Sequence, residues 1–102
     1  MRLAKAGRVL GLAEGVETAL SAMQLTGIPT WASLGASRMH RVLVPDLVGE
    51  LQVFADNDMP GRAAAERTAY EHRHRRVVLR FPPDGCKDWN DWLMVQARSA
   101  AR

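Results

Sequence analysis

A single cysteine, Cys86, stands among these 102 residues, so no internal disulfide can form and no cysteine-rich zinc site can be built. Nothing around it marks an activated thiolate, and its expected part is packing. The chain also lacks a long apolar run. Its longest hydrophobic stretches are strand-sized and broken by Gly, Pro or charge, and the opening MRLAKAGRVLG has no signal-peptide core. A cytoplasmic location with no membrane partner is therefore expected. Internal repeats and low-complexity segments are absent, and no Cys or His group has the spacing zinc prefers. What is present is 47% apolar and 25% charged residues, the composition of an ordinary globular domain with one core. A net charge of +3 favours nucleic acid over acidic partners only weakly. Its distribution says more: base gathers in RMHR (38–41) and HRHRR (72–76), acid in EGVE (14–17), DND (56–58) and DWND (88–91).

Periodicity sets the element order. RVLGLAEG has strand length, and in VETALSAMQLTG the residues Val16, Ala19, Leu20 and Met23 share a helical face, with Gly27 before Ile28-Pro29 as a stop. PTWASLGA reads as a second strand. RMHRVLVPDLVG reads as a short helix or an irregular connection containing Pro45. ELQVFAD is a third strand, after which Pro60 and Gly61 open an Ala-rich helix. RRVVLRFP is a fourth strand, and Asp88 begins a last helix running to the end of the chain, with Trp89, Trp92, Leu93 and Gln96 on one side. Strands alternating with helices predict an α/β domain: a mostly parallel four-stranded sheet with helices on both faces.

Ligands of such sheets bind at the carboxyl ends of the strands. Glu14, the pair Asp56 and Asp58, and Asp88 with Asp91 all follow strands and so fall at that edge. Adjacent strands lie about 4.8 Å apart; if the first and third are neighbours, Glu14 faces Asp56 and Asp58 across a gap of metal size. Hard oxygen ligands suit Mg²⁺ or Mn²⁺, held by a few carboxylates and a substrate's phosphates. Each knot also has a structural reading. Glu14 and Glu17 complement a helix macrodipole, DNDMPG is a turn sequence, and Asp88 with Asp91 fits a capping box. Trp89 and Trp92 read as core, and HRHRR as a solvated helix end.

The succession LAEGVETAL, FADNDMPGRAAA and GCKDWNDWL resembles the Toprim domain, and TWASLGA with Lys87–Asp91 resembles the Toprim domains of phage, plasmid and virulence-associated primases and primase-helicases. The likeness covers a core of about residues 9–93, so residues 1–102 are expected to be one Rossmann-like Toprim domain, a piece of a larger primase-like protein. The resemblance implies that Asp56 and Asp58 hold Mg²⁺ (or Mn²⁺), that Glu14 is a further ligand or a general acid or base, and that Asp88 lies by the metal. Glu17, Lys87, Asn90 and Asp91 are implied accessory residues. Arg38, Arg41, Arg73, Arg75 and Arg76 are candidates for nucleic-acid contact.

The function implied is a Mg²⁺-dependent nucleotidyltransferase making RNA or DNA primers on a single-stranded DNA template from NTPs, in replication of a mobile element, with a helicase domain of the same parent as partner. Template-binding surface and zinc module have no room here, so primer synthesis by these residues alone is not expected. Two alternatives stay open: a Toprim nuclease using the same site with water, and a non-catalytic nucleic-acid-binding or assembly module. A topoisomerase would need a nucleophilic tyrosine, and the one Tyr, Tyr70, falls within a surface helix. A phosphatase of the Asp-x-Asp kind leaves Glu14 unexplained.

Overall fold

Four parallel strands form the centre of the computed structural model, which describes residues 1–100. They are β1 (Val9–Ala13), β2 (Thr30–Ala32), β3 (Glu50–Phe54) and β4 (Arg76–Arg80), and three α-helices connect or follow them: α1 (Val16–Thr26), α2 (Met59–Glu71) and α3 (Trp89–Ala100). The segment between β2 and β3, where the sequence allows a short helix or an irregular connection, holds both: a 3₁₀ helix over Ala36–Arg41 and then a loop through Pro45. Positions 101 and 102 of the expected last helix lie outside the described residues.

The sheet order is β2-β1-β3-β4, with every neighbouring pair parallel. Parallel strands covered on both faces read as apolar runs, which is why VLGLA of β1 and LQVF of β3 occupy the middle. Alternation along these strands divides the core in two. Leu10, Leu12, Leu51, Val53 and Ala55 point to one face, where Trp31, Met39 and Ala65 join them. Ala13 and Phe54 point to the other, with Ala19, Ala22, Ala32 and Trp89. The 3₁₀ helix and α2 thus cover one face, and α1 and α3 the other. Phe54 and Trp89 meet edge to face, their centroids 5.3 Å apart, which confirms Trp89 as core. The buried side of α1 differs from the expected one. Ala19, Ser21 and Ala22 are buried while Leu20 is 51% exposed, because α3 packs on α1 at close range and only small residues fit between them. In α3, Trp89 is buried, Trp92 and Leu93 half-buried and Gln96 exposed.

Gly11 marks the tightest point of the sheet. A Cβ there would overlap the Thr30 hydroxyl and come within 2.8 Å of the Phe54 ring. Elsewhere an arginine replaces regular structure: Arg75 donates to the carbonyl of Pro45 at 3.1 Å and of Val48 at 2.8 Å, holding the irregular 42–49 loop to the start of β4.

His72, at the end of α2, is buried with no hydrogen-bond partner on either ring nitrogen among the described residues. Burial, then the positive charges of Arg75 and His74, lower its pKa below 6.5, with Glu71 opposing. A histidine that is harder to charge when folded contributes stability that is fully present above the unfolded pKa of about 6.5 and is lost as pH falls below it. The urea midpoint of a His72→Leu variant should therefore rise relative to that of the wild type on acidification from about pH 7 to 5.

Candidate functional site

In the order β2-β1-β3-β4 the chain leaves β1 toward one edge of the sheet and returns beside β1 to build toward the other. The switch point is between β1 and β3, where doubly wound sheets open a crevice beyond the strand ends. The two strands pair in register up to Ala13 opposite Phe54. Glu14 is the next residue of one strand and Asp56 the second residue beyond the other, so both stand at the mouth of that crevice. The condition that the sequence left open, adjacency of β1 and β3, is met.

Asp56 is the electrostatic centre. Its Oδ1 is buried and accepts no hydrogen bond from any described residue. Burial first, and then the charges of Glu14, Asp58 and Asp88, raise its carboxyl from 3.8 to about 6, while Lys87 opposes them. The other three carboxylates assigned from sequence thus all act on Asp56, and so does the Lys87 ammonium.

Asp58 and Asp88 carry structural bonds as well. Asp58 is the N-cap of α2, its Oδ1 accepting from the Gly61 amide at 2.7 Å, as DNDMPG suggests when read as a turn. Asp88 Oδ1 accepts from the Asp91 amide at 2.8 Å, and Asp91 Oδ2 accepts from the Lys87 amide at 3.1 Å. This is close to the capping box expected, with the return bond shifted one residue upstream. In both capping aspartates Oδ2 makes no bond within the described protein.

Asn57 does more than space two acids. Its side-chain amide donates to the carbonyls of Pro82 at 2.8 Å and Cys86 at 2.9 Å, and its backbone amide donates to Lys87 at 2.8 Å. Three bonds thereby fasten the loop after β4 to the turn after β3, which is what brings Lys87 and Asp88 to Asp56. Replacing Asn57 with Ala strips two carbonyls of their donors; a loss of about 1–2 kcal/mol is expected in denaturant unfolding, with loosened protection of the amides of 82–88 in hydrogen exchange.

The remaining sequence candidates divide by place. Glu17 is exposed in the first turn of α1, where it favours the helix dipole. Asn90 accepts from the Ser21 hydroxyl at 3.4 Å and joins α3 to α1. Arg38 and Arg41 lie on the 3₁₀ helix after β2, at the carboxylate edge. Arg73, Arg75 and Arg76 lie at the opposite edge, before or at the start of β4, and are engaged there. Arg73 stacks on Tyr70 at 4.2 Å, Arg75 bonds the 42–49 loop, and Arg76 pairs with Glu50 at 2.7 Å.

Among the described residues, no three His, Cys, Asp or Glu side chains converge as a ready-made cage for a metal ion. The donor chemistry nevertheless fits a hard divalent cation. Every candidate ligand is a carboxylate oxygen, and the buried Asp56 oxygen lacks a donor. The repulsion among four acids is what such a cation relieves, and Mg²⁺ is commonly held by one or two carboxylates with water and substrate phosphates completing the shell.

Fold and edge together define a doubly wound parallel α/β domain with an acidic switch point. The Toprim domain family matches residues 9–99, and the chain belongs to that family. No curated protein matches it in sequence. Among solved structures it is similar to the primase fragment of the bacteriophage T7 primase-helicase protein, at 21% identity and a TM-score of 0.63 over 97% of this chain and 44% of that one. A DNA primase domain from Pseudomonas aeruginosa gives 21% identity and a TM-score of 0.59 over 90% of this chain and 32% of that chain. The structure of bacteriophage T7 lagging-strand DNA polymerase interacting with primase domains bound to an RNA/DNA hybrid and dTTP supplies a third, at 23% and 0.67, covering 97% of this chain and 54% of the other. This chain spans about half or less of the length of those it resembles. No described helix is long and apolar enough to cross a membrane.

Proposed function

We propose that this chain is the Mg²⁺- or Mn²⁺-dependent catalytic Toprim domain of a primase-like nucleotidyltransferase, one part of a larger protein that acts on a single-stranded DNA template with NTPs. The observation that carries the reading is the buried, unbonded Asp56 oxygen set among Glu14, Asp58 and Asp88 at the switch point. The similarity to primase domains of T7 and P. aeruginosa supports the primase assignment over other Toprim chemistries. The likeness to a bacteriophage primase-helicase supports a helicase domain in the parent, and replication of a mobile element as its setting.

Asp56 and Asp58 would hold the cation, with Glu14 either completing the set or moving a proton at the attacking hydroxyl, and Asp88 would join them at the metal, its charge acting on Asp56. A divalent cation held there would supply stabilisation of charge on the phosphorus under attack. Asp58 is held rigid by its cap on Gly61, so its free oxygen has a defined direction. Asn57 keeps Lys87 and Asp88 in place, and the Lys87 ammonium offers a counter-charge to a triphosphate entering beside Asp56. Water excluded from the Asp56 oxygen strengthens each of these attractions.

Calorimetric titration with MnCl₂ tests the site. The wild type should bind, and Glu14→Gln should weaken binding by about 10–100-fold, the range seen for outer partners of metal ligands. Absence of binding by the wild type would remove the metal site, and an isotherm unaltered by Glu14→Gln would leave Glu14 the proton-moving role alone. Labelled single-stranded DNA incubated with the full parent protein separates the chemistries: extension products that require NTPs support the primase reading, and degradation without NTPs replaces it with hydrolysis.

A further inference from the structure

A second feature of the carboxylate edge belongs to neither the acidic crevice nor the core. Between the 3₁₀ helix and α2 lies a cleft of about 390 Å³, lined by Ala36, Ser37, His40 and Arg41 on one wall and by Pro60, Ala63, Ala64 and Arg67 on the other. Its polar groups are two guanidiniums, an imidazole and a hydroxyl, and no carboxylate is among them. Three alanines and a proline supply small apolar walls between these groups. Arg41 and Arg67 are exposed, and among the described residues no ion pair or side-chain hydrogen bond engages Ser37, His40, Arg41 or Arg67. That is unlike Arg75 and Arg76, whose donors are taken up by loop carbonyls and Glu50.

The cleft also adjoins the acids at both walls. Ala36 follows Gly35, whose amide donates to the Glu14 carbonyl at 3.1 Å. Pro60 is two residues beyond Asp58, the cap of α2. A sharp turn leads into the first wall, with Leu34 at φ 62° and Gly35 at φ 143°, so the backbone turns directly from the Glu14 carbonyl into the cleft. A basic slot thus begins where the acidic crevice ends.

We infer that this cleft is a phosphate subsite, in which Arg41 and Arg67 clamp a phosphate group of a nucleotide or nucleic-acid strand whose neighbouring phosphate lies at the carboxylates. The inference rests on the nucleotidyl-transfer reading of the acidic site, and names where the anion beyond the metal is held. Guanidinium forks match phosphate oxygens two by two, Ser37 and His40 add single donors, and the alanine walls give a sugar or base a surface to lie against. The anion has two sources, a backbone phosphate of a strand or the phosphates of a free nucleotide. Arg67 has no signal in the sequence, being one charge among many on an exposed helix face.

The test separates this cleft from the metal site by working in EDTA. Binding of a fluorescently labelled oligothymidylate is read by anisotropy across a salt series, and binding of ATP by calorimetry, for the wild type, the Arg41→Ala/Arg67→Ala double variant and Ser37→Glu. Both arginines are exposed, and circular dichroism checks that each variant is folded. The double variant should bind the oligonucleotide at least about tenfold more weakly, as expected for losing charge-assisted bonds, with a salt slope shallower by about 0.7, the value for one phosphate contact of a single strand. Ser37→Glu, which adds a carboxylate to the cleft and removes no arginine, should weaken binding in the same direction. Loss confined to the oligonucleotide identifies a strand phosphate; loss confined to ATP identifies a nucleotide phosphate; either supports the subsite. Absence of binding to both ligands by the wild type, or affinities unchanged in both variants, would overturn it. With EDTA left out, the Arg41→Ala/Arg67→Ala variant should show the wild-type calorimetric response to MnCl₂, so failure of the metal site and failure of the cleft are read apart.

Discussion

Asp56→Asn should abolish divalent-cation binding and, in EDTA at neutral pH, leave the domain more stable than the wild type by about 1–2 kcal/mol. The folded carboxyl sits at about 6 against 3.8 for the free group, chiefly through burial and then through Glu14, Asp58 and Asp88. At 1.36 kcal/mol per unit, such a shift corresponds to a larger figure, reduced here because the group is partly open to solvent. The sign follows from the raised value. Below about pH 4 the carboxyl is neutral in both states and costs nothing; as pH rises toward and past 6 it must be charged in the fold, and metal-free stability falls. Asparagine keeps the shape without that charge, so in EDTA the urea midpoint of the variant should rise relative to that of the wild type as pH goes from about 4 to 7. Saturating Mn²⁺ reverses the order. Ligand at 100 times its Kd adds about 2.7 kcal/mol to a protein that binds it, and only the wild type should gain. Cation affinity should weaken as pH drops below about 6, where a proton competes for Asp56. An isotherm in which Asp56→Asn binds Mn²⁺ as the wild type does would end the assignment of this residue as a ligand.

Gly61→Ala should disrupt fold and site together. In the first turn of a helix, replacing Gly by Ala ordinarily gains up to about 1 kcal/mol. Here the added Cβ would stand 2.7 Å from the Asp56 carbonyl oxygen, 2.8 Å from Asp58 Oδ1 and 3.2 Å from the Asp56 amide nitrogen. Two of these atoms are backbone and the third is the cap oxygen already bonded to the Gly61 amide, so none can move without displacing an aspartate. Overpacking of this kind costs about 1–3 kcal/mol, and the strained cap removes part of its own contribution of about 1 kcal/mol. The expected result is a net loss of about 1–3 kcal/mol in denaturant unfolding, opposite in sign to the propensity effect, with Mn²⁺ affinity lowered at least about tenfold because both aspartates are pushed from the crevice. Stabilisation with unchanged metal binding would show that the turn has room the close contacts deny.

These two residues also mark how far the sequence can be read. Asp56 is visible as an acid at a strand end, and Gly61 only as the start of a helix; that one exists to let the other approach is a fact of three dimensions. The same holds for Asn57, whose neighbours in sequence say nothing of Pro82 and Cys86, and for Arg75, which looks in HRHRR like one more solvated charge. A polar side chain's partner is set by which loops meet, and loops that meet here are separated by 25 to 30 positions. Leu20 was misplaced for a related reason. Helical period identifies an apolar stripe, but the closeness of α3 to α1 selects the small residues Ala19, Ser21 and Ala22 to be buried.

The amino-acid pattern by itself determined the order of strands and helices, the parallel sheet, and the placing of Glu14, Asp56, Asp58 and Asp88 at one edge. Those follow from local rules: period, strand length, and the alternation that sends every strand the same way. Tertiary structure alone decided that β1 and β3 are neighbours at the switch point, and that the arginines of residues 73–76 stand at the far edge. It also set an unfilled basic cleft beside the carboxylates, with Arg67 opposite Arg41. The physical reason is that these depend on distances between residues far apart in sequence, which packing sets and local preference does not encode.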